Sequence, residues 1–145
     1  MTAYTAALFG IKPKLAMLSY SNFGSSKFKE ASKISEAVSL IHRSWPHIDI
    51  DGPLQADFAL NKEMLKKSFP FSKIAGKSVN TLIFPDLNSA NIAYKLIKEM
   101  DGAKSIGPIM MGLRHPVHIL QLGASVEEII NMTSVAVVDA QNKIK

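Results

Sequence analysis

The sequence predicts an α/β fold with three layers around a largely parallel sheet, and three observations predict it. Short strand-like segments, apolar at residues 15–20 and 82–84 and alternating at 47–50, are interspersed with segments whose apolar residues recur at helical spacing. Residues 80–102 condense this pattern into one strand, one polar loop and one helix. With 145 residues, 47% of them apolar and 20% charged, the chain is long enough to bury a core as one domain and too apolar to stay disordered.

Residues 2–9 read as a short helix that breaks at Gly10, before Lys12-Pro13-Lys14. The run from Leu15 to Tyr20 is apolar enough for a buried strand. It leads into Ser21-Asn22-Phe23-Gly24-Ser25-Ser26, and then into a helix whose Phe28, Ala31, Ile34, Val38 and Ile41 form one stripe. Ser25 or Ser26 is the expected N-cap, and the backbone N–H groups and hydroxyls of such a turn also suit a phosphate. Pro46 stops the helix. Residues 47–50 alternate like a strand running into a turn at Asp51-Gly52-Pro53. Phe58, Leu60, Met64 and Leu65 mark one helix, or two short ones broken near Asn61, and residues 69–76 read as loop.

Leu82-Ile83-Phe84 is apolar on both faces, as a central strand buried between helix layers would be, and Pro85 ends it. Asn88 is the expected N-cap and Gly102 the expected stop of the next helix, which turns Ile92, Ala93, Leu96, Ile97 and Met100 inward. In an open α/β sheet such a loop sits at the carboxyl edge of the strands, where ligands bind. Asp86, Asn88 and Asn91 are therefore site candidates. Residues 105–112 read as a glycine-bent segment and 116–120 as a further short strand. Ser125-Val126-Glu127-Glu128 matches a capping box, opening a helix with Val126, Ile129, Ile130, Thr133, Val137 and Ala140 on its expected buried side.

Composition excludes several classes. Without cysteine there is no disulfide, thiolate zinc site or cysteine nucleophile. The net charge of +5 comes from scattered lysines without interleaved aromatics, which predicts a solvated basic surface rather than a nucleic-acid interface. No apolar run reaches the roughly 18 residues of a membrane span, and no signal-peptide layout opens the chain, so a soluble cytoplasmic protein is expected. His42, His47, His115 and His118 lack metal-site spacing, and neither a nucleophile elbow nor a Walker or dinucleotide glycine loop occurs. The residues themselves lead to an α/β domain with a polar groove at the strand ends.

Five blocks in order point further: residues 15–21, 51–57, 74–77, 82–88 and Ile106-Gly107-Pro108-Ile109. Together they resemble, in order and spacing, the carboxyl-terminal half of the phosphate acetyl/butyryltransferase family. The resemblance implies part of a two-domain α/β fold related to isocitrate and isopropylmalate dehydrogenases. It also implies a homo-oligomer that moves an acyl group between coenzyme A and phosphate in an interdomain cleft. Residues 1–145 are then one transferase-like domain, expected to be a fragment or a shortened gene product lacking the amino-terminal half.

The family's catalytic segment reads Ser-Arg-Gly-Cys-Ser-x-x-Asp, and Gln121, Leu122 and Glu128 stand where its serine, arginine and aspartate are. Leu122 removes both the charge and the fork that would hold phosphate. With residues 116–121 and 130–132, these losses resemble the version of the domain fused behind bacterial NADP-dependent malic enzymes. There it is thought to sense acetyl-CoA and hold the oligomer together, the malate oxidoreductase chemistry residing in a separate domain. No cofactor is expected in this chain, with coenzyme A or acetyl-CoA as its possible ligand. For that ligand or phosphate, the expected binding residues are Ser21, Gly24, Ser25, Ser26, Asp86, Asn88, Asn91, Arg114 and Gln121. The alternatives are an active acyltransferase with Glu128 as general base, and a ligand-free assembly module using the helix over 129–138.

Overall fold

The computed structural model describes residues 1–101 and 104–143. They divide into one unit of Lys12–Lys95 and another that joins Met1–Ile11 to Leu96–Lys145.

The first unit holds a parallel sheet in the order β2-β1-β3, with β1 spanning Lys14–Leu18, β2 Asp49–Leu54 and β3 Thr81–Ile83. Leu15 sits opposite both Ile50 and Thr81, so β1 is the central strand and its Leu15, Ala16, Met17 and Leu18 are buried. The expectation of a buried central strand at 82–84 is corrected: β3 is at the end of the strand order and its residues are half-buried. It pairs on one side only among the described strands.

The expected turn at Asp51-Gly52-Pro53 is strand instead. Pairing passes from Ala16–Asp51 to Leu18–Leu54, so β2 carries one more residue than β1 across this step. This bulge is where a strand tolerates a proline, whose nitrogen cannot donate to the ladder. Beneath it lies a core of Ala16, Leu18, Leu54, Ala59, Leu65 and Ile74, with Phe23, Phe58 and Phe69 packed around it.

Helix α2 (Lys29–Ser44) packs on β2 and buries Ala31, Ile34 and Val38. Phe28 does not join that stripe. It is exposed and holds the N-cap position without a side-chain cap bond, which corrects the expected Ser25 or Ser26 cap. Both hydroxyls are used inside the loop before the helix begins: Ser25 Oγ accepts from Asn22 N–H, and Ser26 Oγ pairs with Tyr20 Oη at 2.7 Å. Helices α3 (Ala56–Leu60) and α4 (Lys62–Ser68) break at Asn61, whose Oδ1 accepts from Met64 N–H at 3.0 Å.

Helix α5 (Leu87–Asp101) is capped by Asp86, not Asn88: Ser89 N–H donates to Asp86 Oδ1 at 2.9 Å. The helix starts at Leu87, two residues too early for Asn88 to stand outside it. Ile92, Leu96, Ile97 and Met100 are exposed rather than inward, because nothing among the described residues covers them. Gly102, the expected stop, lies outside the described residues.

In the second unit, α1 (Thr2–Leu8) packs against α6 (Val126–Lys143). The buried residues of α6 are Met132 and Val135, while Val126, Ile129, Ile130 and Val137 are exposed, so the expected buried side is corrected. Apolar residues occupy more than one face of this helix, and periodicity cannot choose which face finds a partner. Residues 116–120 form no strand: Pro116 lacks a donor, and no described strand pairs with the segment. Among the described residues no helix is long and apolar enough to cross a membrane.

Candidate functional site

Parallel pairing places the loops after β1, β2 and β3 at one edge of the sheet, the edge where α/β folds take ligands. The loop after β1 is held by an amide lattice that the sequence reading did not single out. Asn22 Nδ2 donates to Gln55 Oε1 at 2.6 Å, Gln55 N–H returns a bond to Asn22 Oδ1 at 2.7 Å, and Gln55 Nε2 donates to Tyr20 carbonyl at 2.9 Å. Their signal was present, since each is an amide side chain just past a strand. Phe23 takes a left-handed φ of +37° and Gly24 one of +83°, and this reversal carries the Phe23 ring onto Phe69 and Phe71, with centroids 4.9 and 5.0 Å apart.

Within this frame Ser21 is 6% exposed and its Oγ has no hydrogen-bond partner among the described residues, the one candidate serine left open. Asp86 serves as a helix cap, and its carboxyl is held below its ordinary value, chiefly by the Ser89 backbone N–H. Asn88 and Asn91 are exposed on the first turns of α5. The unit thus brings Ser21, Gly24, Ser25 and Ser26 together with Tyr20, Asn22 and Gln55.

Arg114, Gln121 and Glu128 belong to the other unit. Glu128 closes the expected capping box: Ser125 N–H donates to its Oε2 at 2.8 Å, and its own N–H donates to Ser125 Oγ at 3.2 Å. Lys98 Nζ stands 3.8 Å from Oε1. The Ser125 backbone bond, then its hydroxyl, hold the Glu128 carboxyl below its ordinary 4.5. Such a group is a poor base for a thiol with pKa near 8.5, since a general base works best near the operating pH. Glu128 borders an open groove of about 360 Å³ with Lys98, Lys104, Ser105, Glu127 and Asn131. Neither Arg114 nor Gln121 lines it. Leu122 is fully exposed. Among the described residues, neither His115 nor His118 belongs to a group of three or more metal-ligating side chains.

The cap carries a pH prediction. The folded carboxyl of Glu128 titrates below its unfolded value, so its stabilising effect is complete above about 4.5 and is lost as pH falls through the folded pKa. Glu128→Gln, which keeps an acceptor but cannot titrate, should lose less thermal stability than the parent between about pH 5.5 and 3, followed by circular dichroism. A parallel acid response would mean the box is not formed in solution.

The family profile described as "Phosphate acetyl/butaryl transferase" matches residues 1–137. A phosphate acetyltransferase of Helicobacter pylori is 42% identical over 141 residues, covering 97% of this chain and 27% of that protein. An NADP-dependent malic enzyme of Haemophilus influenzae is 43% identical over 143 residues, covering 99% of this chain and 19% of that protein. The crystal structure of a phosphotransacetylase from Streptococcus pyogenes superposes with a TM-score of 0.86 at 40% identity, covering 99% of this chain and 42% of that one. The chain thus spans less than half the length of each.

Proposed function

The chain belongs to the phosphate acetyl/butaryl transferase family, and on that premise we propose that it is a non-catalytic member of the malic enzyme type, which senses acetyl-CoA and helps hold an oligomer together in the cytoplasm. The observation that carries this reading is the state of Glu128. The carboxylate that would have to take the thiol proton is committed to the Ser125 cap and held in its charged form. Exposed Gln121 and Leu122, in place of the serine and arginine of the family motif, supply neither a hydroxyl nor a phosphate-clamping guanidinium. Similarity to both phosphate acetyltransferases and NADP-dependent malic enzymes supports the family background of the proposal. The exposed apolar faces of α5 and α6 support assembly with further protein, as a homo-oligomer or with segments that the longer relatives carry.

The test is chemical. Purified chain given acetyl-CoA and phosphate should form no acetyl phosphate above a buffer blank, whereas turnover would establish the active transferase instead. For the ligand, Ser21 offers a hydroxyl unpartnered among the described residues, and Gly24 and Ser26 in the loop with Ser25 offer backbone N–H groups. Arg114 is the one arginine or lysine in residues 105–125. Arg114→Ala should weaken acetyl-CoA binding by about 1.5–3 kcal/mol, the scale of one charge-assisted contact, and unchanged affinity would remove Arg114 from the site.

A further inference from the structure

The unit of Met1–Ile11 and Leu96–Lys145 encloses a second feature that the proposed function does not use. A cavity of about 190 Å³ lies between α1, residues 109–113 and α6. Its walls are largely apolar, with Leu8, Ile109, Met110, Leu113 and Val135 among them. Into this lining comes the His118 imidazole, its side chain 5% exposed and neither ring nitrogen hydrogen-bonded. Nε2 stands 3.4 Å from Asp139 Oδ2, close enough for the carboxylate to favour the proton on that nitrogen. With a proton on Nε2, Nδ1 is a buried acceptor without a donor among the described residues. Leaving such a group dry is costly, which makes it a position where a ligand's donor is strongly favoured.

We propose that this cavity is a binding site for a small neutral amphiphile of about the size of one ring, carrying a single hydroxyl or N–H group that donates to His118 Nδ1. Size and chemistry both argue for this class. An apolar cavity of roughly 150 Å³ accommodates benzene, so this one has room for a ring plus one polar substituent. Among the described residues no lysine or arginine lines the cavity, and the Asp139 carboxylate in its wall disfavours an anionic ligand. Thr5 adds a hydroxyl whose acceptors are the weak thioether sulfur of Met111 at 3.0 Å and, at the long distance of 3.4 Å, the Met1 carbonyl oxygen, and a ligand acceptor competes readily with both. Water in place of the ligand is the competing arrangement, and a ring-sized probe separates the two.

The 145-residue chain is titrated with phenol and, separately, with toluene, and the His118 ring nitrogens are followed by nitrogen-15 NMR. Phenol should saturate, shift the Nδ1 resonance in the direction of an accepted hydrogen bond, and bind roughly five- to tenfold tighter than toluene, the worth of one hydrogen bond. His118→Phe should abolish that preference while its backbone spectrum stays that of the parent. Absence of a saturable His118 shift, equal affinities for the two probes, or a preference that survives His118→Phe would each overturn the site. Should the variant fail to fold, the ratio of phenol to toluene affinity in the unmodified chain decides alone.

Discussion

Gly52→Ala should destabilise the chain by roughly 2–6 kcal/mol, summing an overpacking cost and a backbone-strain cost of about 1–3 kcal/mol each. Gly52 sits in the bulged part of β2 with φ of +150°, a conformation that L side chains rarely adopt. A Cβ there would stand 2.5 Å from the Met17 carbonyl oxygen and 2.8 Å from Met17 Cβ. These atoms belong to β1, the central strand, so the clash cannot be relieved by swinging a flexible side chain. In a domain whose total stability is on the order of 5–15 kcal/mol, such a loss removes much of the folded population at physiological temperature. Urea denaturation measures it. A midpoint equal to that of the parent would mean that β2 runs farther from β1 than described.

Asp51→Ala is the second large effect, at roughly 3–5 kcal/mol, the cost of stripping a buried carboxylate from several donors. Asp51 is 7% exposed. Its Oδ2 accepts from Ser72 Oγ at 2.9 Å and from Lys73 N–H at 2.7 Å, and its Oδ1 accepts from Gly52 N–H at 3.0 Å. These bonds pin the loop after α4 to the start of the bulge, next to fully buried Ile74. Alanine would orphan all three donors. Asparagine can keep its oxygen on the Ser72 and Lys73 donors and turn its N–H₂ toward the Gly52 N–H alone, so Asp51→Asn should fall between the parent and Asp51→Ala. Ser72→Ala, which removes a single partner, should cost only about 1 kcal/mol. Thermal melts of the three variants should rank in that order, and a parent-like Asp51→Ala would show that the pin carries no stability.

Much of the local structure was legible because its signals lie close together in the sequence. The apolar run at 15–20, the break at Asn61 and the capping box at Ser125 and Glu128 each depend on residues within a turn or a strand of one another; the break and the box stand where expected, and the strand runs over Lys14–Leu18. The errors came where tertiary context decides. Pro53 reads as a turn unless the one-residue offset between β1 and β2 is known. Asp86 and Asn88 are equally good caps on paper, and only the start of α5 at Leu87 separates them. Helix α6 is apolar on more than one side, so its buried pair, Met132 and Val135, was hidden behind the larger Ile129 and Ile130. Within the candidate site, Ser21 and its loop were legible from small polar residues after a strand. The Asn22–Gln55 lattice joins residues 33 positions apart, which no local pattern displays.

The most direct test is calorimetric titration of the chain with acetyl-CoA in the presence of phosphate, with acetyl phosphate assayed in the same cell. A regulatory, non-catalytic domain gives saturable heat and no acetyl phosphate. Formation of acetyl phosphate, or the absence of saturable heat at millimolar acetyl-CoA, would contradict it.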